Sequence, residues 1–104
     1  MEELIMNIEI KRDGTTLTAI PEGRIDTLTA PEFQTQMEAE LGDAKDLIVD
    51  LSKVNYVSSA GLRALLALAQ IMEDRDGTIK AVNVDDFLRK AFSLTGFLEI
   101  LNID

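Results

Sequence analysis

Ser58 and Ser59 stand side by side in the stretch "NYVSSAGLRALL", Asn55 to Leu66, where the pattern turns helical. One serine hydroxyl suffices to cap a helix, so the second is open to another use. Four uses fit the residues. The pair is a cap with a spare polar neighbour, a nucleophile, part of a phosphate-binding loop, or a site of phosphorylation. A hydrolase elbow wants glycine two residues before its serine, and Val57 holds that place relative to Ser59. A serine–lysine pair remains formally open. A phosphate cradle wants several glycines and a lysine, whereas only Gly61 lies close and no GxxxxGK[ST] run occurs. Phosphorylation needs only an accessible hydroxyl and a kinase, and a phosphate at a helix start meets free N–H groups and the positive end of the macrodipole.

The absences narrow the chemistry further. The chain has 104 residues with no histidine and no cysteine. A Ser-His-Asp triad, thiol catalysis, disulfides and thiolate zinc sites are therefore excluded. Nineteen acids against ten bases give a net charge of −9, a surface that repels nucleic acid and anionic lipid and suits a basic partner. No long uncharged apolar run offers a membrane span, and the opening "MEELIMNIEI" carries acids where a signal peptide carries bases. The expected setting is the cytoplasm.

The elements that must position the serines follow from periodicity. Leu4, Met6, Ile8 and Ile10 alternate with Ile5, Asn7, Glu9 and Lys11, which predicts a half-buried strand. Asp13-Gly14 predicts a hairpin into a second strand, Thr15 to Ile20, ended by Pro21. "EGRIDTLTAPEF" reads as a loop into a helix with Thr29 as cap, Pro31 in the first turn and Glu32 at the capping-box spacing. That helix carries Phe33, Met37 and Leu41 on one stripe and stops at Gly42. Leu47, Ile48, Val49 and Leu51 predict a strand covered on both faces, followed by a loop, "SKVNYV". The helix after the serines, about Ala60 to Asp74, is expected to bury Leu62, Leu65, Leu66, Ala69 and Met72 and to expose Arg63, Ala67, Gln70 and Asp74. A second "RDGT", Arg75 to Thr78, turns into a strand at Ile79 to Val82. A third helix, about Val84 to Leu94, is expected to bury Phe87, Leu88, Ala91 and Phe92 and to end at Gly96. The tail "FLEILNID" is apolar enough to dock as a short strand or helical turn. The order β-β-α-β-α-β-α implies an α/β fold, largely parallel after the hairpin.

"LIVDLSKVNYVSSAGLRALL", Leu47 to Leu66, resembles the signature of STAS domains, in particular the bacterial anti-sigma factor antagonists. "GRID", Gly23 to Asp26, resembles that family's loop after the second strand, and "FSLTGFLEIL", Phe92 to Leu101, its closing segment. The resemblance implies one STAS domain over residues 1–104. Its fold would be a mixed sheet of four or five strands, an N-terminal hairpin and then mostly parallel strands, with helices mainly on one face.

The function so implied is that of a switch without catalysis. An unmodified antagonist binds an anti-sigma factor that is also a serine kinase, which frees the sigma factor. The kinase phosphorylates a serine at this helix start, the antagonist lets go, and a PP2C-type phosphatase resets it. Carried over by its distance from Gly61, the modified residue is Ser59. Ser58, where well-known members have aspartate, is the alternative. The implied partner face takes in Asp26, Thr27, Thr29, Ser58, Ser59, Gly61, Arg63, Ala67 and Gln70. No cofactor or metal is implied, and the expected state is a monomer or weak dimer. The other reading is a STAS subunit that binds a small ligand, a lipid or a stressosome-type partner without phosphorylation. On the sequence alone, Leu66→Ala is expected to cost about 2–5 kcal/mol, as core leucine truncations do. Asp26→Asn and Arg63→Glu are expected to weaken partner binding without loss of thermal stability.

Overall fold

The computed structural model describes residues 6–103, and of Leu98 the backbone alone. Leu4, at the head of the predicted first strand, lies outside them. The chain opens on a hairpin of β1 (Ile8–Asp13) and β2 (Thr16–Pro21), closed by the pair Asp13 and Thr16. Gly14, the first of the two turn residues, takes φ +61, a value L side chains resist. A four-stranded sheet is completed by β4 (Asp46–Asp50) and β6 (Thr78–Val82) in the order β1-β2-β4-β6. β1 runs antiparallel to β2, and the other two pairs are parallel. The register sets Leu17, Leu47 and Ile79 in one row and Ala19, Val49 and Ala81 in the next, all buried. Between them Ile48 stays half-buried and Lys80 exposed. β4 is thus covered on one face and not on both, because the helices lie over one side of the sheet.

Three helices form that cover. α1 (Ala30–Leu41) buries Phe33, Met37 and Leu41, with Pro31 in its first turn and Gly42 at its end. Its last turn holds no basic residue, so its carbonyls are met from elsewhere. Arg12 donates to the Glu40 carbonyl, and Arg75 Nη1 donates to those of Gly42 and Ala44 at 2.9 and 3.0 Å. α2 (Ser59–Asp74) buries Ala64, Leu65, Leu68, Ala69 and Met72. α3 (Asp86–Thr95) starts after Asp85, whose carboxylate accepts from the Leu88 amide at 2.8 Å, and buries Leu88 and Phe92. The short α4 (Phe97–Ile100) then leads Leu101 into the core, and the Ala81 amide donates to its carbonyl at 2.9 Å. Among the described residues no helix is long and apolar enough to cross a membrane.

Three expectations from periodicity are corrected. Leu66 is 40% exposed and Phe87 69%, while Leu68 is fully buried. In each apolar pair, Leu65-Leu66 and Phe87-Leu88, the two side chains point about 100° apart around the helix, and packing buried one member. Further, β3 (Gly23–Ile25) and β5 (Val54–Val57) pair in parallel as a second, two-stranded sheet where both segments read as loop. Three and four residues are too few to show a period, and the pairing joins segments some thirty residues apart. Leu68→Ala should lower stability by about 2–5 kcal/mol. Leu66→Ala should cost about 0.5 kcal/mol, as surface changes do. Urea unfolding of both variants measures the difference.

Candidate functional site

The two serines divide their work. The Ser58 hydroxyl accepts from the Gly61 amide at 3.2 Å, so Ser58 is the N-cap of α2. Its carbonyl accepts from Leu62 at 2.8 Å and its amide donates to the Ile25 carbonyl at 2.9 Å. Ser59 is the first helical residue and exposed, and its hydroxyl makes no hydrogen bond among the described residues. The Ser59 and Ala60 amides, the first two of the helix, have no hydrogen-bond partner among the described residues.

Gly61 is buried beneath this surface. A Cβ there would overlap the Ile25 carbonyl oxygen and crowd the side chains of Val57 and Ile25. The close approach that glycine permits is therefore made by β3 of the same chain.

The β3–β5 pairing sets the "GRID" loop against the helix start. Asp26 Oδ1 accepts from the amides of Leu28 and Thr29 at 3.0 and 3.1 Å, and Arg24 Nε donates to Oδ2 at 3.3 Å. Arg24 also lies over the Tyr56 ring, 4.2 Å from its centroid. The Thr29 hydroxyl accepts from the Asp26 amide at 2.9 Å and donates to the Arg24 carbonyl at 2.6 Å. It makes no cap bond to α1, contrary to the expected capping box, and Glu32 accepts from Gln36 instead. The carboxylate of Asp26, three residues earlier, closes the turn before the helix through the Leu28 and Thr29 amides, and α1 has no side-chain cap. The Thr29 amide hydrogen bond foremost, opposed by partial burial and aided by the Leu28 amide and Arg24, holds Asp26 below its ordinary value of 3.8. Thr27 and Leu28 lie exposed on the outside of this turn.

Along α2 the exposed residues Ser59, Arg63, Leu66 and Gln70 follow one another at intervals of four, three and four, one continuous stripe. Ala67 is half-buried beside them, and Gln70 donates to Asp74 at 3.0 Å. Sequence reasoning placed Leu66 in the core and missed it here. Its distance from Ser59, seven residues, was the available signal. Asp26, Thr29 and Ser58 are gathered at one end of this stripe, and Arg63 sits a turn along it.

Similarity to known proteins agrees with this geometry. The family profile described as "Mlab, STAS domain" matches residues 7–102. The chain is a STAS domain. The anti-sigma-B factor antagonist of Listeria monocytogenes is 29% identical over 100 residues, 94% of this chain and 88% of that one. The crystal structure of an anti-sigma factor antagonist from Mycobacterium paratuberculosis superposes with a TM-score of 0.82 at 24% identity, over 94% of this chain and 84% of that one. The Bacillus cell fate determinant SpoIIAA in its phosphorylated form gives 0.73 at 15% identity, over 94% and 91%. These structural likenesses establish that the STAS domain has the expected α/β fold.

Asp26 ties this STAS domain's stability to pH. Its folded carboxyl titrates below the ordinary value, so the stabilisation from its ionised form is complete above 3.8 and is lost as pH falls through the lowered folded value. Asp26→Asn keeps an acceptor for the loop amides but lacks the charge at every pH. Contrary to the expectation from sequence that this substitution leaves thermal stability untouched, the wild type should melt higher than this variant by a constant margin from neutral pH to about pH 5, and the margin should close below the ordinary aspartate range. Melting curves of both proteins across that range give the answer.

Proposed function

We propose that this STAS domain is an anti-sigma factor antagonist switched by phosphorylation of Ser59. The unmodified chain binds an anti-sigma factor that is also a serine kinase, and the kinase releases itself by modifying Ser59. A PP2C-type phosphatase restores the binding form. The protein itself is a binding module without catalysis.

The observation that carries the reading is the separation of the two hydroxyls. Ser58 is consumed as a cap, whereas Ser59 is exposed and unbonded one residue later. A phosphate on Ser59 would bring a charge of about −1.5 to −2 to the end of the α2 stripe where the "GRID" loop meets it. Within the free chain it would find the unpaired Ser59 and Ala60 amides, the helix dipole and, one turn on, Arg63. The fold therefore accommodates the phosphate, and the cost falls on the complex. Arg63, drawn to the phosphate, would also be withdrawn from the partner. An affinity change of tenfold needs only about 1.4 kcal/mol, which one misplaced charge readily supplies.

Treatment with ATP and a candidate anti-sigma kinase from the same genome, followed by tandem mass spectrometry, localises the phosphate. It should lie on Ser59. Ser59→Ala should resist modification and bind constitutively, and Ser59→Asp should bind poorly. Ser58→Ala should still be phosphorylated while losing about 1 kcal/mol of stability with its cap. Phosphate on Ser58 would reverse the assignment, and no phosphate on either would sink the switch.

A further inference from the structure

Along the C-terminal half of α2 runs a groove of about 640 Å³. Ala69, Met72 and Ile79 form its buried floor, and Leu66 and Ile100 stand open on its banks, 40% and 43% exposed. Open apolar side chains around a concave surface mark an interaction face. The rim is acidic. Glu73 and Asp76 line it, and neither makes an ion pair among the described residues. Arg75, between them in sequence, is turned away onto the Gly42 and Ala44 carbonyls.

The neighbouring strand restricts what can enter. β6 is an outer strand of its sheet, yet its Ala81 amide already donates to Leu101 and its Ile79 carbonyl accepts from Asn102 Nδ2 at 2.8 Å. An added strand would find those backbone groups taken. A helix satisfies its own backbone, and α2 from Leu66 to Glu73 offers it a straight wall of two turns, about 10 Å.

We infer that this groove takes a basic amphipathic helix of the anti-sigma factor, as the far half of an interface that begins at Ser59. The inference rests on the function proposed above. Continuity and charge argue for this occupant. Leu66 and Gln70 belong both to the exposed stripe with Ser59 and Arg63 and to the groove's lining, so a partner laid on the stripe arrives at the groove. An apolar floor with an unpaired acidic rim, on a chain of charge −9, is matched by leucine-type residues flanked by lysine or arginine. Glu73 lies fourteen residues beyond Ser59, about 21 Å along the helix, which exceeds the Debye length of about 8 Å in physiological salt. The interface thus has a switched end at Ser59 and a constant end in the groove.

Leu66→Ser and Glu73→Lys test it, because both side chains are exposed and both variants should melt with the wild type. Against the candidate anti-sigma kinase, each should raise Kd about tenfold or more. Glu73→Lys should also slow association and flatten its salt dependence, and Ser59 phosphorylation should still weaken binding in both. Affinities within about twofold of wild type, with phosphorylation still inhibitory, would overturn the groove and leave the proposed function standing. If the wild type itself fails to bind, the proposed function falls and a second measurement decides the groove. In it, a synthetic leucine–lysine amphipathic helical peptide is titrated into the 15N-labelled chain. Amide shifts centred on Leu66, Glu73 and Ile79 support the groove, and shifts spread over the acidic surface without that focus refute it.

Discussion

The contact between the Ile25 carbonyl and the start of α2 holds the candidate site together. The carbonyl accepts from the Ser58 amide and lies where a side chain on residue 61 would have to be. With glycine at 61, the end of β3 presses directly onto the first turn of the helix. β3 and β5 then pair, Arg24 reaches across to the Tyr56 ring, and Asp26 closes the turn that leads into α1. A methyl group at that one position would part the loop from the helix, and the two halves of the site with it.

α2 serves two purposes on two sides. Leu65, Leu68 and Met72 anchor it in the core, and Ser59, Arg63, Leu66 and Gln70 face out. Neither side depends on the other's chemistry. Under the proposed switch, a charge added at Ser59 would change the outward stripe while the packed side keeps its contacts, so that modification would act on association and leave folding alone. This separation is what a reversible switch in a small domain requires, since its total stability is only about 5–15 kcal/mol.

The distribution of charge reinforces the point. Several of the ten bases are spent on the chain's own backbone: Arg12 and Arg75 on carbonyls at the end of α1, and Lys45 Nζ on the Arg75 carbonyl at 2.6 Å. Arg24 is occupied by Asp26 and Tyr56. What faces outward is accordingly more acidic than composition alone conveys, with Arg63 as the basic point on the α2 stripe. Such a surface would draw a basic partner as a whole, and its few apolar features would orient it.

By itself, the sequence determined what depends on neighbours in the chain. The Asp13-Gly14 turn, the stripe Phe33, Met37 and Leu41, the stops at Gly42 and Gly96, and the alternation of strands and helices are all local patterns. The resemblance of Leu47 to Leu66 to STAS domains is likewise carried by consecutive residues, and a helix start at the two serines follows from cap chemistry. Tertiary structure alone decided which serine is the cap and which is left over, because two adjacent hydroxyls are equivalent until the backbone around Ile25 fixes one amide geometry. It also decided that Gly61 makes room for β3, and that the Thr29 hydroxyl is spent on the Asp26 amide and the Arg24 carbonyl in place of capping α1. It decided the outward side of α2 as well. Leu65 and Leu66 have the same hydrophobicity, and only the position of the sheet beneath the helix selects which one is buried.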